Sequence, residues 1–230
     1  MTKVELTPAF LIHRRAFKDT SLLLDFFTRD HGKICLVGRG LRSSKTNIQM
    51  FQNLNISFSG KSQLKTLTHW EVDDSPRNLK GEALILGLYV NELISRLLHD
   101  HDPYFELFEF YKQFVDQVSK SEQADRYWLL RLFENNFLSE LGYSLDFAQD
   151  IGGLPIDKNA FYDYQAQSGF SQNSTGKISG ELLDLLLLES LDNIPNKDQL
   201  KTCRDLNRQR LNLLLGNKPL KSRELFFTKK

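Results

Sequence analysis

Ser21-Leu22-Leu23-Leu24-Asp25-Phe26-Phe27-Thr28, then Arg29-Asp30-His31-Gly32-Lys33, then Ile34-Cys35-Leu36-Val37 is the stretch on which the fold turns. Two short apolar runs flank five polar residues, and Gly32 can take the positive φ that a tight hairpin needs. The stretch predicts two antiparallel strands and a turn. Upstream, Ala9-Phe10-Leu11-Ile12-His13 predicts another strand, with Phe10 and Ile12 on one face and Leu11 and His13 on the other. Downstream, Asn53 to Ser59 and Leu64 to Val72 predict two more, joined around Ser59-Gly60-Lys61-Ser62. Four or five short strands with no long helix between them suggest a small sandwich or barrel, and a five-stranded OB-type barrel fits the count.

After Gly81 the apolar period changes from two to that of a helix. Leu84, Ile85, Leu88, Leu93 and Ile94 trace a first helix that ends between Asp100 and Pro103. A second starts after Pro103 and passes Phe105, Phe108 and Tyr111 toward Val118. A third spans Ala124 to Leu141 with Trp128, Leu129, Leu132, Phe133 and Phe137, and Gly142 is placed to cap it. Residues 144–180 are rich in Gly, Asp, Gln and Ser and predict irregular structure or a short hairpin around Phe161-Tyr162-Asp163-Tyr164. Two helices follow, Ser179 to Leu191 and Asp198 to Leu215, the latter ended by Gly216-Asn217. The expected architecture is an α+β multidomain protein: an OB-type barrel over residues 1–80, then a mostly helical domain over residues 81–230. The basic C-terminal helix and tail occupy residues 197–230.

The net charge of +1 hides a strong asymmetry. Residues 1–65 carry eleven Lys/Arg against four Asp/Glu, residues 66–196 carry nine against twenty-two, and residues 197–230 carry ten against three. Basic ends around an acidic middle point to a polyanion, because Lys and Arg gain by displacing counterions condensed on phosphates. Ordinary solvated surface gives such surpluses too. Cys35 and Cys203 sit in no CxxC or Cys/His cluster and read as reduced thiols, with no metal site and a cytoplasmic setting. No secretory signal follows Met1-Thr2-Lys3, and Leu182 to Leu188 is too short to span a bilayer.

Catalytic constellations are missing. Val37-Gly38-Arg39-Gly40 lacks the strand–loop–helix context of a phosphate loop. His99-Asp100-His101-Asp102 falls where a helix ends, and Asp73-Asp74 precedes Pro76 as a turn would. We therefore expect no enzyme and no cofactor. The barrel segment instead interleaves strands with cations: Arg14 and Arg15, Lys33, Arg39, Arg42 and Lys45, then Lys61 and Lys65. Single-strand binders pair such grooves with aromatic platforms, for which Phe17, Phe51 and Trp70 are candidates, although each serves equally as core.

Phe10-Leu11-Ile12-His13-Arg14-Arg15, Thr20 to Thr28, Gly32-Lys33 and Leu36-Val37-Gly38-Arg39-Gly40 resemble the opening of RecO proteins. Leu64-Lys65-Thr66-Leu67 is similar to a later barrel strand of that family, and Gly87-Leu88-Tyr89-Val90-Asn91-Glu92-Leu93 to its first helix. Arg131-Leu132-Phe133-Glu134 with Leu141-Gly142-Tyr143 resembles its third helix, and Gly216 to Phe226 its C-terminal signature. The resemblance covers nearly the whole chain and is weakest between Ile151 and Leu200. It implies a recombination mediator that binds single- and double-stranded DNA, anneals strands, and works with RecR so that RecA loads onto DNA coated by single-strand binding protein. It further implies a bacterial, nucleoid-associated protein and a helical domain that holds the tail of single-strand binding protein, with Arg131 as the contact carried over. The competing expectation for Arg131 is an exposed helix residue.

Many relatives carry four zinc-binding cysteines after the third helix. Asp150-Ile151-Gly152-Gly153-Leu154-Pro155 stands there in this chain, so packing around Phe161, Tyr162, Tyr164 and Phe170 is expected instead of zinc. In the tail, Lys218, Lys221 and Arg223 beside Leu220, Leu225 and Phe226 read as a second basic patch or as a docked segment. Nothing in the sequence demands more than a monomer. Two other functional classes remain open at this level: an adaptor that binds the single-strand binding protein tail with little DNA contact, and a metal-dependent nuclease.

Overall fold

The computed structural model describes residues 2–44, 48–62, 64–216 and 218–226. Five strands, β1 (Thr2–Phe17), β2 (Ser21–Thr28), β3 (Gly32–Gly38), β4 (Asn53–Gly60) and β5 (Lys65–Val72), close into a barrel of order β1-β2-β3-β5-β4. All neighbours are antiparallel except β3 and β5, which meet in parallel through Leu36–Lys65 and Val37–Thr66. β1 is longer than the alternation over residues 9–13 indicates. Its first half pairs with β4 and its second with β2, so one strand serves two neighbours. Lys3, Glu5 and Thr7 carry no apolar alternation, and a bulge between Val4 and Thr7 sets Leu6 at φ 49°. Those features hide the strand from a pattern search.

Ala9, Leu11, Leu24, Phe26, Ile34, Leu36, Leu54, Ile56 and Phe58 fill the barrel. Each of the Leu, Ile and Phe side chains contributes about 1.5–3 kcal/mol by leaving water. The intervening residues Phe10 and Phe27 face outward onto Phe108 and Tyr111, with ring centroids 4.9–6.0 Å apart. Two helices, α1 (Gly81–Leu97) and α2 (Phe105–Val118), thus belong to the barrel's own compact unit. Asn91 of α1 donates to Ile12 O at 3.2 Å and accepts from the Tyr111 hydroxyl at 2.6 Å, joining barrel and both helices through buried polar groups. Gly87 lets α1 approach, since a Cβ there would lie 2.8 Å from Phe51 Cε1.

The second compact unit runs from Lys120 to Pro219. It holds α3 (Gln123–Glu140), a small sheet of β6 (Phe161–Gln165), β7 (Gly169–Gln172) and β8 (Ile178–Ser179), then α4 (Gly180–Leu188) and α5 (Lys197–Leu215). Gly142, at φ 83°, ends α3 with Tyr143 N–H returning to Leu138 O at 2.8 Å, as the sequence indicates. Asn196 and Gln199 form a capping box on α5. The segment expected to be irregular or a hairpin is a hairpin with a third strand added. Tyr162 and Phe170 are buried in the core with Trp128, Ile178, Leu182 and Cys203, and Tyr164 packs against them; Phe161 is 47 % exposed and takes no part. Asp150 Oδ1 accepts from Gly152 N–H at 2.8 Å and Leu154 N–H at 2.9 Å, so a carboxylate ties the turn.

A last helical turn, α6 (Ser222–Leu225), returns to the first unit. Between β5 and α1, which starts at Gly81, the chain passes from strand to helix. The compact units, however, divide after Ser119, because the outer face of the barrel is covered by α1 and α2.

Candidate nucleic-acid interface

Strand register decides which basic residues meet. The end of β1 pairs with the start of β2 (Phe17 with Ser21), and the start of β2 pairs with the end of β3 (Leu22 with Gly38). The end of β3 lies beside the start of β5. The β1–β2 turn and the segment leaving β3 therefore lie at one end of the barrel, while β5, parallel to β3, enters from the other direction with Lys65 beside Leu36. The first two carry Lys18, Arg39 and Arg42, all exposed; exposed Lys61 stands on the β4–β5 hairpin and half-buried Lys65 at the foot of β5. Two hydrogen bonds lock the first two connections together: Arg42 N–H to Thr20 O at 3.0 Å and Arg42 Nη1 to Lys18 O at 3.1 Å. Lys45 lies outside the described residues.

Lys18 escapes the sequence reading. It stands alone between β1 and β2 at φ 53°, and only the register places it beside Arg42. Its ammonium lies 5.4 Å from the Phe17 ring centroid. Phe17, half-buried at this rim, is the aromatic candidate nearest the cations. Trp70 is half-buried against the barrel core. Phe51 is 4 % exposed and packed against Gly87, so it is a core residue and not a platform.

Arg14 and Arg15 are both exposed on the last part of β1. Arg15 Nη1 lies 2.6 Å from Asp25 Oδ2, and His13 Nδ1 lies 3.3 Å from the same oxygen. Partial burial works against the Arg15 charge, but pairing with Asp25 outweighs it and holds the guanidinium above its ordinary range. Cys35, opposite Asp25 on β3, has its thiol pushed up to about 12 by burial and by Asp25. It stays neutral and unreactive at neutral pH.

Lys33 is not a surface cation. It lies at the opposite end of the barrel, 16 % exposed, with Nζ donating to Ser95 O at 2.7 Å and pairing with Asp100 at 3.2 Å. A cation there meets the carbonyls at the end of α1 and complements the helix dipole. Gly32, at φ 62°, lets the chain pass Asp102, whose carbonyl oxygen would be 2.0 Å from an added Cβ. Gly32-Lys33 thus anchors a helix, which explains the motif without nucleic acid.

The tail residues divide. Lys218 and Lys221 are exposed and Arg223 is half-buried, while Leu220 and Ser222 are buried. Glu92 of α1 accepts from Lys221 N–H, Ser222 N–H and the Ser222 hydroxyl at 2.6–2.9 Å. Burial of Glu92 acts to raise its pKa, but these hydrogen bonds and nearby Arg96 outweigh it, and the carboxyl is held below its ordinary range. The segment is docked.

Arg131 departs from both expectations for it. Its side chain is 8 % exposed and pairs with Glu134 Oε2 at 2.9 Å, itself 1 % exposed. Asn207 donates to Glu134 and to Arg131 O; Arg210, 4 % exposed, donates to Asn135, Asn207 and Tyr143 O at 2.6–3.2 Å. Burial holds the Arg210 pKa below its ordinary range. Helical spacing cannot distinguish a surface arginine from one satisfied by a second helix, and α5 supplies these partners. Among the described residues no group of three or more His, Cys, Asp or Glu could hold a metal ion, and no helix is long and apolar enough to cross a membrane.

A closed barrel with exposed cations at one end, followed by helices, defines a mixed α+β protein. Residues 1–76 match the family described as Recombination protein O N terminal, and residues 79–224 match Recombination protein O C terminal. A DNA repair protein RecO of Coxiella burnetii (strain RSA 493 / Nine Mile phase I) is 40 % identical over 237 residues, covering 99 % of this chain and 100 % of its own. Those of Cellvibrio japonicus (strain Ueda107) and Pseudoalteromonas atlantica (strain T6c / ATCC BAA-1087) are 38 % and 36 % identical, covering 97 % and 94 % of this chain and 97 % and 92 % of their own. The chain belongs to the RecO family, and its role lies in DNA repair and recombination.

Proposed function

We propose that this protein is a non-enzymatic recombination mediator. It binds single- and double-stranded DNA through the barrel, anneals complementary strands and, with RecR, helps RecA load onto DNA coated by single-strand binding protein. The observation that carries the reading is the gathering of Lys18, Arg39 and Arg42 at one barrel end by strand register, with Lys61 and Lys65 as further proposed contacts. Cations on turns can follow an irregular phosphate backbone, and Phe17 beside them offers a face for a base. The order β1-β2-β3-β5-β4 supports an OB-type module over residues 1–80. Arg14 and Arg15 extend this surface, and Lys45, Lys218, Lys221 and Arg223 are proposed as further phosphate contacts on the strength of their charge. The protein acts as a cytoplasmic, nucleoid-associated monomer, with the irregular segment held by packing in place of zinc. The tail of single-strand binding protein remains a partner in this reading, with a contact surface other than the buried Arg131 side chain.

Titration of a labelled single-stranded oligonucleotide at several salt concentrations, followed by a strand-annealing assay, tests the proposal. Saturable binding that weakens with salt and accelerated annealing are expected. Absent or salt-insensitive binding, with partner-tail binding retained, would leave only an adaptor.

A further inference from the structure

We propose that Asp25 is an internal competitor for phosphate on the outer face of β1, β2 and β3, holding Arg15 and His13 until a bound strand takes them. This rests on the reading of the barrel as the nucleic-acid surface. Leu24 and Phe26 point into the barrel, so Asp25 between them points out. The register sets His13 opposite Asp25 on one side and Cys35 opposite it on the other, with Arg15 opposite Leu23 on the same face. Arg15 Nη1 reaches Asp25 Oδ2 at 2.6 Å, and Arg15 Nη2 lies 3.8 Å from Cys35 Sγ.

His13 and Arg15 are 56 % and 50 % exposed at the side chain and so open to an incoming strand, whereas Asp25, at 15 %, is the more enclosed partner. A phosphate oxygen offers Arg15 the same charge-assisted geometry as Asp25 does. Counterion release from the nucleic acid favours the exchange of carboxylate for phosphate. A face lacking Asp25 would hold a strand more tightly and release it more slowly, a disadvantage for a protein that must let go of a completed duplex.

The test is Asp25→Asn, nearly isosteric, alone and combined with Arg15→Ala, with a labelled single-stranded oligonucleotide as probe. Asp25→Asn is expected to bind roughly threefold to tenfold tighter, with a log–log salt slope steeper by about 0.7 for one added phosphate contact. Arg15→Ala should cost more affinity in the Asp25→Asn background than in the native protein. Unchanged or weaker binding by Asp25→Asn, or equal costs of Arg15→Ala in the two backgrounds, would overturn the proposal. So would a collapse of the thermal midpoint in both Asp25→Asn and Asp25→Ser, which would assign Asp25 to the fold. Native protein that shows no salt-dependent binding sinks the parent reading; native binding with a neutral Asp25→Asn sinks only this one.

Discussion

Arg39 and Arg42 at the barrel end and Arg131 and Arg210 in the helical unit carry the same charge in opposite environments. The first pair sits on a connection fixed by strand pairing, with exposed side chains. The second pair is 6 % and 4 % exposed and enclosed by Glu134, Asn135, Asn207 and the Tyr143 carbonyl. The difference teaches that a basic surplus counted along a chain mixes two populations. Solvated cations remain available to a polyanion, whereas buried ones are already consumed by the fold and matter for stability.

The comparison breaks most visibly at Glu134. Glu134→Ala leaves the Arg131 charge buried without its carboxylate, and a loss of about 3–5 kcal/mol is expected. Chemical denaturation monitored by Trp fluorescence would read it, since Trp128 lies in the same unit's core. A loss below about 1 kcal/mol would place Arg131 among the solvated cations instead. Reversing the exposed pair with Arg39→Glu/Arg42→Glu should weaken oligonucleotide binding by about tenfold, near 1.4 kcal/mol, while costing no more stability than the single exposed Arg42–Lys18 hydrogen bond, about 1 kcal/mol.

Lys33 sharpens the division because it is a barrel cation with a helix-anchoring environment. Lys33→Met should cost about 1 kcal/mol of stability through the lost Ser95 contact, with DNA affinity little altered. The opposite pattern, stability kept and affinity lost, would return Lys33 to the interface. The smallest effect is expected at Glu92. Its carboxyl lies below the ordinary value of 4.5 in the folded chain, so the docking it supports is complete above that value and lost as pH falls through the lower one. Hydrogen-exchange protection at residues 220–226, relative to the intrinsic rate at each pH, should fall in acid, and Glu92→Gln should show lower protection already at neutral pH.

Much of the fold was legible because its elements carry strong periodicity. The helices predicted after residues 81, 103, 124, 179 and 198 stand within a few residues of α1 to α5, since Gly142, Gly216 and Pro103 mark their ends. The first half of β1 was illegible, because Lys3, Glu5 and Thr7 fill a strand whose inward pattern is broken by a bulge. In the site, Arg39, Arg42 and Lys61 were legible as loop cations. Lys18 and Asp25 were not, because their relevance comes from cross-strand neighbours and from no motif of their own. In the sequence, Gly87, Asn91 and Glu92 stand out only through the family resemblance. The structure supplies their physics: close approach, a buried amide bridge, and a clasp on the tail.

The central claim is that solvated cations at the barrel end hold phosphates. It is tested most directly by the slope of log binding constant against log salt for a single-stranded oligonucleotide, compared between native protein and Arg39→Glu/Arg42→Glu. Removing two phosphate contacts should flatten that slope by about 1.4. An identical slope in the two proteins would contradict the account.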